Sequence, residues 1–425
     1  CSPSRASFLT GLYPHLNGQI GLATHKFAMY QDWPNLFTVL KSGGYRTGLI
    51  GKLHVNPESA FPVDFRAIRG ANFGERDMRE YAAQAAKFFT ADRDRPFFLS
   101  INYPDAHFPL HRQQFGLPEN PLGAGDVKPL PWVGADSPRL RGVTADYYNC
   151  MRRLDDGVAL LLEELKKSGA ADNTLIIYIG DHGAQFSRGK CTVYEAGLRV
   201  PFIVSWPGRA QPGQVRRELV STLDIMPLAC AVADIPPPEN LSGLNLMPLL
   251  EGKPAENWRE FIYGFTTGAA PAIFCLQHSV RDSRWKLISN PLPSRTNGSA
   301  KAYRDSLNAH FVGGTRPGEI AAASEVVRAA YRRFLTPPRY ELYDLDSDPY
   351  ELDNLAENPA YAAQKLRLIR ALETWQERHR DPFGEQALMR GFAERQSENL
   401  DLKYRKNKTF RWPYLDQFPS FIRND

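Results

Sequence analysis

The sequence predicts an α/β fold, in which a mostly parallel central sheet is flanked by helices and a smaller C-terminal α+β domain follows. Two observations predict this organisation. Before residue 246, short β-branched and aromatic runs alternate with patterns of helical periodicity, which is typical of a parallel or mixed sheet covered by helices. After LMPLLEGKPAEN (246–257) the alternation stops, and short apolar runs with polar connections favour antiparallel strands.

The first predicted element is a helix that begins at about Ser2 to Ser4 in the opening stretch CSPSRASFLTGL. Pro3 would lie in the first helical turn, as is common at helix starts. Cys1 would then lie at the helix N-terminus, where the dipole and the free N–H groups favour an anion and lower a thiol pKa. A plain buried cysteine is the ordinary alternative, but it would not require Arg5 one turn later, on the helix face that can point back toward Cys1.

Four short runs then predict buried strands, because each is rich in β-branched and aromatic residues. They lie at 45–52, 95–103, 173–181 and 200–208. Apolar residues at helical spacing predict a helix over 144–169, which ends at Gly169 as a helix should. A further helix is predicted over 222–235, with Thr222 as its N-cap.

The C-terminal part has a different pattern. Three runs predict short antiparallel strands, namely FIYGF, AIFCLQ and WKLISN, and a clear helical pattern covers 360–380. We expect a domain boundary near 255–260, which divides the chain into domains 1–257 and 258–425. The last segment, 402–425, is basic and aromatic, and we expect it to be a tail that wraps the body rather than a separate module.

Composition and charge exclude several classes of protein. The net charge of +5 would favour an acidic ligand, but it is too small to indicate a nucleic-acid-binding protein. The five cysteines show no CxxC spacing, which excludes a zinc ribbon, and their odd, sparse distribution excludes a disulfide scaffold. No run approaches the roughly 20 apolar residues that would span a bilayer. No signal peptide is seen, but we expect the natural N-terminus to lie upstream, so composition does not indicate the compartment.

Chemistry-bearing side chains follow three of the predicted strands. They lie in GKLH, PDAHFP and GDHG, and the residues are Lys52, His54, Asp105, His107, Asp181 and His182, with Lys190 nine residues beyond Asp181. Any one of them alone is more often a solvated loop residue or a partner in a local turn. Because open α/β sheets bind ligands outside the carboxyl ends of their strands, their coincidence at these ends favours a functional site.

The same residues indicate what the site could bind. Asp181 offers a hard oxygen, His182 offers a nitrogen, and Gly183 lets the backbone approach closely, a set that suits a metal ion. The two lysines and the other two histidines together would neutralise a tetrahedral oxyanion such as sulfate or phosphate. Such groups stabilise charge that develops during transfer.

The opening CSPSRASFLTG resembles the signature of the type I, formylglycine-dependent sulfatases, C-x-P-S-R-x-x-x-L-T-G, and matches every specified position. Further strings that resemble this family are GKLH (51–54), DAHFP (105–109), the run 181–208 and ELYDLDSDPYELDNLAENP (341–359). The resemblance covers nearly the whole chain and implies an alkaline-phosphatase-like fold. Within the family, the sequence is most similar to the sulfamidases (N-sulfoglucosamine sulfohydrolases), on strings that include SVRDSRWKL (279–287) and the TW–ERHRDPF pattern (374–383).

The resemblance implies a mechanism. A maturation enzyme, directed by Pro3 and Arg5, oxidises Cys1 to Cα-formylglycine. The aldehyde hydrates to a geminal diol, one hydroxyl attacks sulfur to give a sulfo-enzyme intermediate, and collapse to the aldehyde expels sulfate. The resemblance implies that Arg5 orients the formylglycine. It implies that the substrate is bound by Lys52, Lys190 and His107, and that His54 and His107 act as base and acid. The implied metal ligands are Asp181, His182 and the modified Cys1.

The implied metal is Ca²⁺, with Mn²⁺ or Mg²⁺ as alternatives, because His182 stands where many family members have asparagine. An imidazole suits Ca²⁺ less well than an amide oxygen does. The family also places a pair of acidic metal ligands on its first strand, well before the cysteine. We therefore expect that strand to lie upstream of residue 1.

The leading substrate implied by the resemblance is a terminal N-sulfated glucosamine of heparin or heparan type. Three alternatives stay open at this point. The first is an O-sulfatase that acts on another glycan, the second is a phosphodiesterase or phosphonate monoester hydrolase of the same superfamily, and the third is a glycan-binding protein without catalysis. We expect a sulfated saccharide and the maturation enzyme as partners, with a homodimer left open. The expected location is a periplasmic, secreted or lysosomal-type compartment.

Overall fold

The computed structural model describes residues 1–70, 77–254 and 256–423. The helices of the first part are α1 Ser2–Thr10, α2 Pro14–Asn17, α3 Leu36–Ser42, α4 Met78–Ala91, α5 Pro138–Lys167, α6 Glu195–Leu198 and α7 Ile225–Ala233. The later helices are α8 Met247–Leu250, α9 Gly298–Asp305, α10 Pro317–Ala322, α11 Glu325–Leu335, α12 Ala362–Arg378, α13 Gln386–Glu398 and α14 Tyr414–Arg423. The strands are β1 Arg46–Gly51, β2 Phe65–Ala67, β3 Phe97–Asn102, β4 Ile176–Ile179, β5 Phe202–Ser205, β6 Ile262–Thr266, β7 Gln277–Arg281, β8 Trp285–Ser289 and β9 Tyr340–Asp344.

Strand β1 is the centre of a three-stranded parallel sheet with the order β2-β1-β3. All six residues of β1 are buried, as the sequence predicts. The strand ends at Gly51, whose positive φ of 87° is accessible to glycine at little cost. A Cβ at Gly51 would lie 2.1 Å from the Asn102 carbonyl oxygen of β3. This glycine therefore lets the two strand ends meet closely, directly before Lys52.

Strands β4 and β5 form a separate antiparallel pair, in which Ile176 lies opposite Ser205. The prediction of buried strands is wrong for β3, β4 and β5, because their residues are at most partly buried and Ile203 of β5 is 58% exposed. The physical reason is that β3 and β4 each have an edge without a hydrogen-bonded strand among the described residues. The strand positions themselves are confirmed.

Helix boundaries depend on caps that the periodicity did not reveal. Helix α5 begins at Pro138, six residues before the predicted start, because the Ser137 hydroxyl accepts a hydrogen bond from the Leu140 N–H at 3.1 Å. The predicted N-cap Thr222 is also wrong. Ser221 is the capping residue there, and a 3₁₀ turn precedes α7.

The C-terminal part contains a four-stranded antiparallel sheet with the order β6-β7-β8-β9. The run AIFCLQ does not form the predicted strand, because a 3₁₀ turn begins at Pro271 and the strand starts only at Gln277. Phe274 and Leu276 of this run pack in a hydrophobic cluster with Phe27 instead of joining the ladder. The predicted helix over 360–380 is confirmed as α12, whose apolar side packs on this sheet.

The C-terminal tail packs on the body of the molecule, as the sequence predicts. The Tyr414 hydroxyl contacts the carbonyl oxygens of Gly18 at 3.0 Å and Ala28 at 3.1 Å. Trp412 donates through Nε1 to the His25 carbonyl oxygen at 2.8 Å. Residues 424–425 of the predicted tail lie outside the described residues.

The division into domains 1–257 and 258–425 stays a prediction, and residue 255 near the expected boundary lies outside the described residues. Within the part of the chain that the structure describes, no helix is both long and apolar enough to cross a membrane.

Candidate active site

Cys1 lies at the N-cap of α1, as the sequence predicts. Its Sγ is 3.2 Å from Nε2 of His182, so the side chain is directed toward the loop after β4. The free N–H groups of the first turn of α1 face the same end of the helix, where they favour negative charge. Position 1 is therefore a favourable place for an anionic or oxygen-rich group.

Arg5 is buried and joins the ends of three strands. Its Nε donates to Oδ2 of Asp181 at 2.8 Å. Its Nη1 donates to the Lys52 carbonyl oxygen at 3.0 Å and to Oδ1 of Asn102 at 2.7 Å. The guanidinium thus contacts these three residues, while only the backbone N–H of Arg5 bonds to the Cys1 carbonyl oxygen, at 2.9 Å. Any influence of Arg5 on the side chain of position 1 is therefore indirect.

Asp181 and His182 lie side by side in the loop after β4. Nδ1 of His182 lies 2.8 Å from the Gly183 carbonyl oxygen, so it is the protonated nitrogen, and the unprotonated Nε2 lies 3.3 Å from Asp181 Oδ1. Burial alone would raise the pKa of Asp181, but the nearby positive charges of Arg5 and Lys52 help to hold it well below its usual range. Burial lowers the pKa of His182. The site therefore presents a carboxylate beside a neutral imidazole.

These groups fit a divalent metal ion. One ligand atom from each of Cys1, Asp181 and His182 lies within 4.8 Å of the others, and all three residues are partly buried. The hydrogen bond from Nδ1 fixes the tautomer of His182 that offers Nε2 to a metal, as is usual for ligand histidines. A carboxylate oxygen with an imidazole nitrogen suits Mn²⁺ or a similar ion, and it also accepts Ca²⁺ or Mg²⁺ when oxygen ligands complete the set.

Two buried lysines, Lys52 and Lys190, lie near each other in the loops that follow β1 and β4. Burial, with the positive charge of Arg5 nearby, lowers the pKa of Lys52 to about 7, and Lys190 acts in the same direction. Burial also lowers the pKa of Lys190, whose Nζ donates to Oε1 of Gln185 at 3.4 Å. Buried ammonium groups are stabilised by an anion, so the pair is a strong electrostatic site for a small oxyanion.

His54 and His107 complete the group that the sequence predicts. Both ring nitrogens of His54 are buried and have no hydrogen-bonding partner among the described residues, and its φ is +61°. Nδ1 of His107 lies 2.9 Å from the Phe108 carbonyl oxygen, so Nε2 is the ring nitrogen that can exchange a proton. Burial, followed by the positive charges nearby, lowers the pKa of both rings well below the ordinary value.

Asp105 has a structural role that the sequence pattern did not separate from the site. Its carboxylate accepts two hydrogen bonds from Arg153, at 2.7 Å and 3.0 Å, and both side chains are fully buried. This bidentate pair holds the segment after β3 against α5 and leaves His107 as the chemistry-bearing residue of that segment.

Three further residues near the site were missed by sequence reasoning. Asn102 accepts a hydrogen bond from Arg5, and Gln185 links Lys190 to the His310 carbonyl oxygen at 2.6 Å. The His310 ring lies over Phe108, with 3.7 Å between ring centroids. Asn102 could have been found as the last polar residue of a predicted strand. His310 comes from a distant loop, and no pattern in the sequence indicates its position.

Comparison with known proteins identifies the family. Residues 1–235 match the sulfatase family, and residues 180–297 match the family described as N-sulphoglucosamine sulphohydrolase, C-terminal. The chain is 32% identical to human N-sulphoglucosamine sulphohydrolase, over 90% of this chain and 82% of that protein. It is also 31% identical to an ulvan-active sulfatase of Formosa agariphila, over 91% of this chain and 72% of that protein.

Solved structures confirm the fold. A protein solved in complex with its substrate D-glucosamine-2-N,6-O-disulfate matches with a TM-score of 0.64 and 19% identity, over 89% of this chain and 88% of that chain. A phosphonate monoester hydrolase from Silicibacter pomeroyi matches with a TM-score of 0.61 and 19% identity, over 90% of this chain and 86% of that chain. The expected alkaline-phosphatase-like α/β fold is thus confirmed. The chain belongs to the sulfatase family, whose members hydrolyse sulfate esters or sulfamates.

Proposed function

We propose that this sulfatase releases sulfate from terminal N-sulfated glucosamine of heparin- or heparan-type saccharides. The observation that carries the sulfate site is the pair of buried lysines, Lys52 and Lys190, which lie near position 1. The N-sulfated sugar is supported by the match of residues 180–297 to the C-terminal family of N-sulphoglucosamine sulphohydrolase. The 32% identity to the human enzyme of that name supports it further.

The proposed roles follow from the positions of the side chains. Lys52 and Lys190 bind oxygens of the sulfate, because both cations are buried and gain from an anionic partner. His54 and His107 exchange protons with the attacking and leaving groups. Burial, followed by the surrounding positive charges, lowers the pKa of both rings and keeps the imidazoles neutral, and an entering sulfate opposes those charges. His107 gives or takes its proton at Nε2, since Nδ1 faces the Phe108 carbonyl oxygen.

Position 1 and the metal supply the rest of the chemistry. We propose that Cys1 is the precursor of Cα-formylglycine and that Asp181, His182 and the modified position 1 hold the metal. When both are in place, the hydrated aldehyde supplies the attacking oxygen, and the metal supplies positive charge beside it. Arg5 positions this arrangement through Asp181 and the segment that begins with Lys52.

A carbohydrate O-sulfatase is the second candidate function. It is favoured by the 31% identity to a protein described as an ulvan-active sulfatase, over nearly the same share of the chain. Phosphonate monoester hydrolysis is supported only by a likeness of fold. The lysines and histidines of the site would bind either a sulfate or a phosphonate oxyanion, so the choice depends on measured turnover.

Sulfate release from matched sugars tests the proposal. The mature, metal-loaded enzyme is assayed with N-sulfoglucosamine, with N-acetylglucosamine-6-sulfate and with a galactose sulfate. We expect kcat/KM to be highest for N-sulfoglucosamine. Absence of release from that sugar, with turnover of either O-sulfated sugar, would overturn the proposed specificity and favour the second candidate. Faster hydrolysis of an aryl phosphonate than of the matched aryl sulfate would overturn both.

A peptide mass tests the proposed modification. Tryptic digestion gives a peptide that ends at Arg5, and conversion of the Cys1 thiol to an aldehyde lowers its mass by about 18 Da. We expect this shift in protein produced together with a formylglycine-generating enzyme. Recovery of the unmodified thiol in an active preparation would show that the proposed modification is wrong.

The proposed function implies two partners for this protein. A sulfated saccharide is the substrate, and the maturation enzyme is the protein that must act on the CSPSR stretch. Nothing in the charge pattern indicates a nucleic acid partner. A homodimer stays a prediction, as does a periplasmic, secreted or lysosomal-type compartment.

A further inference from the structure

The loop formed by residues 23–27 borders the candidate active site. The Ala23 N–H donates to Oγ of Ser2 at 3.0 Å, directly beside position 1. Asn56, two residues beyond His54, donates through Nδ2 to the Ala23 carbonyl oxygen at 2.9 Å. The loop is thus fixed both to the start of α1 and to the segment that carries His54.

The C-terminal tail covers the outer side of this loop. Arg405 donates through Nε to the Thr24 carbonyl oxygen at 3.2 Å, and Lys26 donates through Nζ to the Asn407 carbonyl oxygen. Three exposed cations of the tail lie at this contact, and we call them the basic rim: Arg405, Lys406 and Lys408. None of the three has a carboxylate partner among the described residues, whereas Lys403 nearby is paired with Asp401 at 2.9 Å.

His25 of this loop contacts the same tail segment, with 2.5 Å between its Nδ1 and the hydroxyl oxygen of Tyr404. Burial lowers the pKa of His25 to about 4, and the charge of Arg405 acts in the same direction. The loop of residues 23–27 therefore lies between the tail and the segment that carries His54. Cations with no acidic partner, on a tail segment that binds this loop, would attract anionic groups of a substrate held at the site.

We propose that the basic rim is a second anion subsite, which binds a carboxylate or sulfate group on the sugar next to the one that carries the scissile sulfate. This proposal rests on the proposed function, because a heparin-type chain carries negative charge on successive sugars. The buried lysines bind the reacting sulfate, while the basic rim holds the remainder of the chain where it leaves the site. The protein therefore prefers an oligosaccharide to a single sulfated sugar.

Kinetics with short and long substrates test this subsite. The mature enzyme and the triple variant Arg405→Ala, Lys406→Ala, Lys408→Ala are compared on N-sulfoglucosamine and on a tetrasaccharide that ends in N-sulfoglucosamine beside a uronate. We expect kcat/KM for the tetrasaccharide to fall about tenfold and that for the single sugar to change less than about twofold. The double variant Lys406→Ala, Lys408→Ala removes no hydrogen bond to the loop and should give an intermediate loss.

Two further arms complete the experiment. Tetrasaccharides with and without a 2-O-sulfate on the uronate show whether sulfate or carboxylate is the bound group. A control variant removes three exposed cations on other surfaces, through Lys87→Ala, Arg93→Ala and Lys166→Ala, and should behave like the wild type. An equal loss on the short and the long substrate, or no loss on either, would overturn the proposed subsite.

Failure of the proposed function would look different. If the wild type released no sulfate from either N-sulfated substrate, the proposed specificity would be wrong. The same comparison would then be made with a 6-O-sulfated monosaccharide and a 6-O-sulfated oligosaccharide. The subsite is supported if the triple variant loses activity only on the longer substrate. It is wrong if the ratio of kcat/KM for the oligosaccharide to kcat/KM for the monosaccharide is the same in the triple variant and in the wild type.

Discussion

At the scale of single residues, Arg5 connects the parts of the site that sequence distance separates. Its three acceptors belong to the segment after β1, to the last residue of β3 and to the segment after β4. A planar guanidinium can bond several acceptors in fixed directions, and a lysine cannot reproduce that geometry. Because Arg5 is buried, its loss would also leave the Asp181 carboxylate without its cationic partner.

The substitution Arg5→Lys should therefore abolish most of the sulfatase activity. We expect kcat for sulfate release to fall by at least about 100-fold, because the carboxylate and the Lys52 segment lose their fixed positions. Thermal unfolding and circular dichroism report whether the variant is folded. The peptide mass at position 1 is measured alongside, because Arg5 also lies in the stretch that the maturation enzyme reads. A folded, fully modified Arg5→Lys protein with activity within about threefold of the wild type would contradict this prediction.

A second prediction at this scale concerns oxyanion binding by the buried Lys190. Replacing Lys190 with Met keeps the length of the side chain but removes the charge, so oxyanion binding should weaken. We expect at least about a 100-fold loss of kcat/KM and a matching rise in the inhibition constant for inorganic sulfate. Lys166→Met on the exposed surface of α5 is the control and should leave both quantities unchanged. An unchanged inhibition constant for sulfate in Lys190→Met would show that this lysine does not bind the anion.

The position of a residue relative to a predicted strand explains which residues of the site could be predicted from the sequence. Lys52, His54 and His107 directly follow strands, so the strand pattern alone places them at one edge of the sheet. Asp105 satisfies the same pattern, yet its carboxylate is paired with the buried Arg153 of α5. Contacts of that kind depend on the packing of distant elements and leave no periodic signal in the sequence, and His310 was missed for the same reason.

At the scale of elements, the short helix α6 determines the shape of the loop formed by Asp181, His182 and Gly183. The Gly183 N–H donates to the Gly197 carbonyl oxygen at 3.0 Å, and a Cβ at Gly183 would lie 1.7 Å from the Ala196 carbonyl oxygen. The start of α6 is itself held from the C-terminal sheet, because Glu195 accepts a hydrogen bond from the buried Lys286 of β8 at 2.9 Å. The loop of the proposed metal ligands Asp181 and His182 is thus positioned by a strand more than 100 residues away in sequence. This contact also gives a structural reason for the SVRDSRWKL string.

Gly183→Ala should consequently disrupt the site. The added methyl group would collide with backbone rather than with a flexible side chain, so the loop must move, and we expect a destabilisation of about 3 kcal/mol or more. Gly180→Ala is the matched control, because its Cβ would lie 3.4 Å from the nearest atom of Val200, an ordinary contact. Urea unfolding measures the difference, and activity should fall only in Gly183→Ala. Equal stability of the two variants would be evidence against this account of α6.

The elements that could be predicted share a property, which is that local residues determine them. Pro3 and the helical pattern after it identify α1, and the continuous apolar periodicity of 360–380 identifies α12. The run AIFCLQ has strand-like composition, but tertiary packing of Phe274 and Leu276 against Phe27 outweighs that preference. The early start of α5 depends on a single capping hydroxyl, which the apolar pattern does not show.

At the scale of the whole molecule, a buried cluster joins the first helices to the C-terminal part. His15 of α2 lies against Trp375 of α12, with 5.2 Å between ring centroids. His278 of β7 contacts Asp381, with 2.8 Å between Nε2 and Oδ2, and both side chains are fully buried. Trp375 and Asp381 belong to the TW–ERHRDPF pattern. That pattern therefore has a structural role here, in joining regions that are distant in sequence.

This cluster predicts how stability depends on pH. Burial lowers the pKa of His15 to about 4, and the charges of His379 and His278 act in the same direction while Asp381 opposes them. An unfolded chain has a His pKa near about 6.5, so between pH 6.5 and 4 the unfolded state binds a proton that the folded state does not. Stability must therefore fall as the pH falls through this window. The contribution of His15 between pH 7 and pH 5 is about 2 kcal/mol.

His15→Phe should remove that contribution, because phenylalanine retains an aromatic ring beside Trp375 but cannot bind a proton. Between pH 7 and pH 5 we expect the free energy of unfolding to fall in both proteins, and to fall by about 2 kcal/mol less in the variant than in the wild type. Urea unfolding at each pH measures this difference. The window lies above the range in which Asp381 takes up a proton, since the nearby His278 and His15 outweigh its burial and lower its pKa. Tyr13→Phe is the control beside the same rings, and its pKa of about 12 lies far outside the window, so it should keep the wild-type dependence. If His15→Phe and Tyr13→Phe show the same dependence on pH, then His15 is not the group that couples protonation to the stability of the molecule.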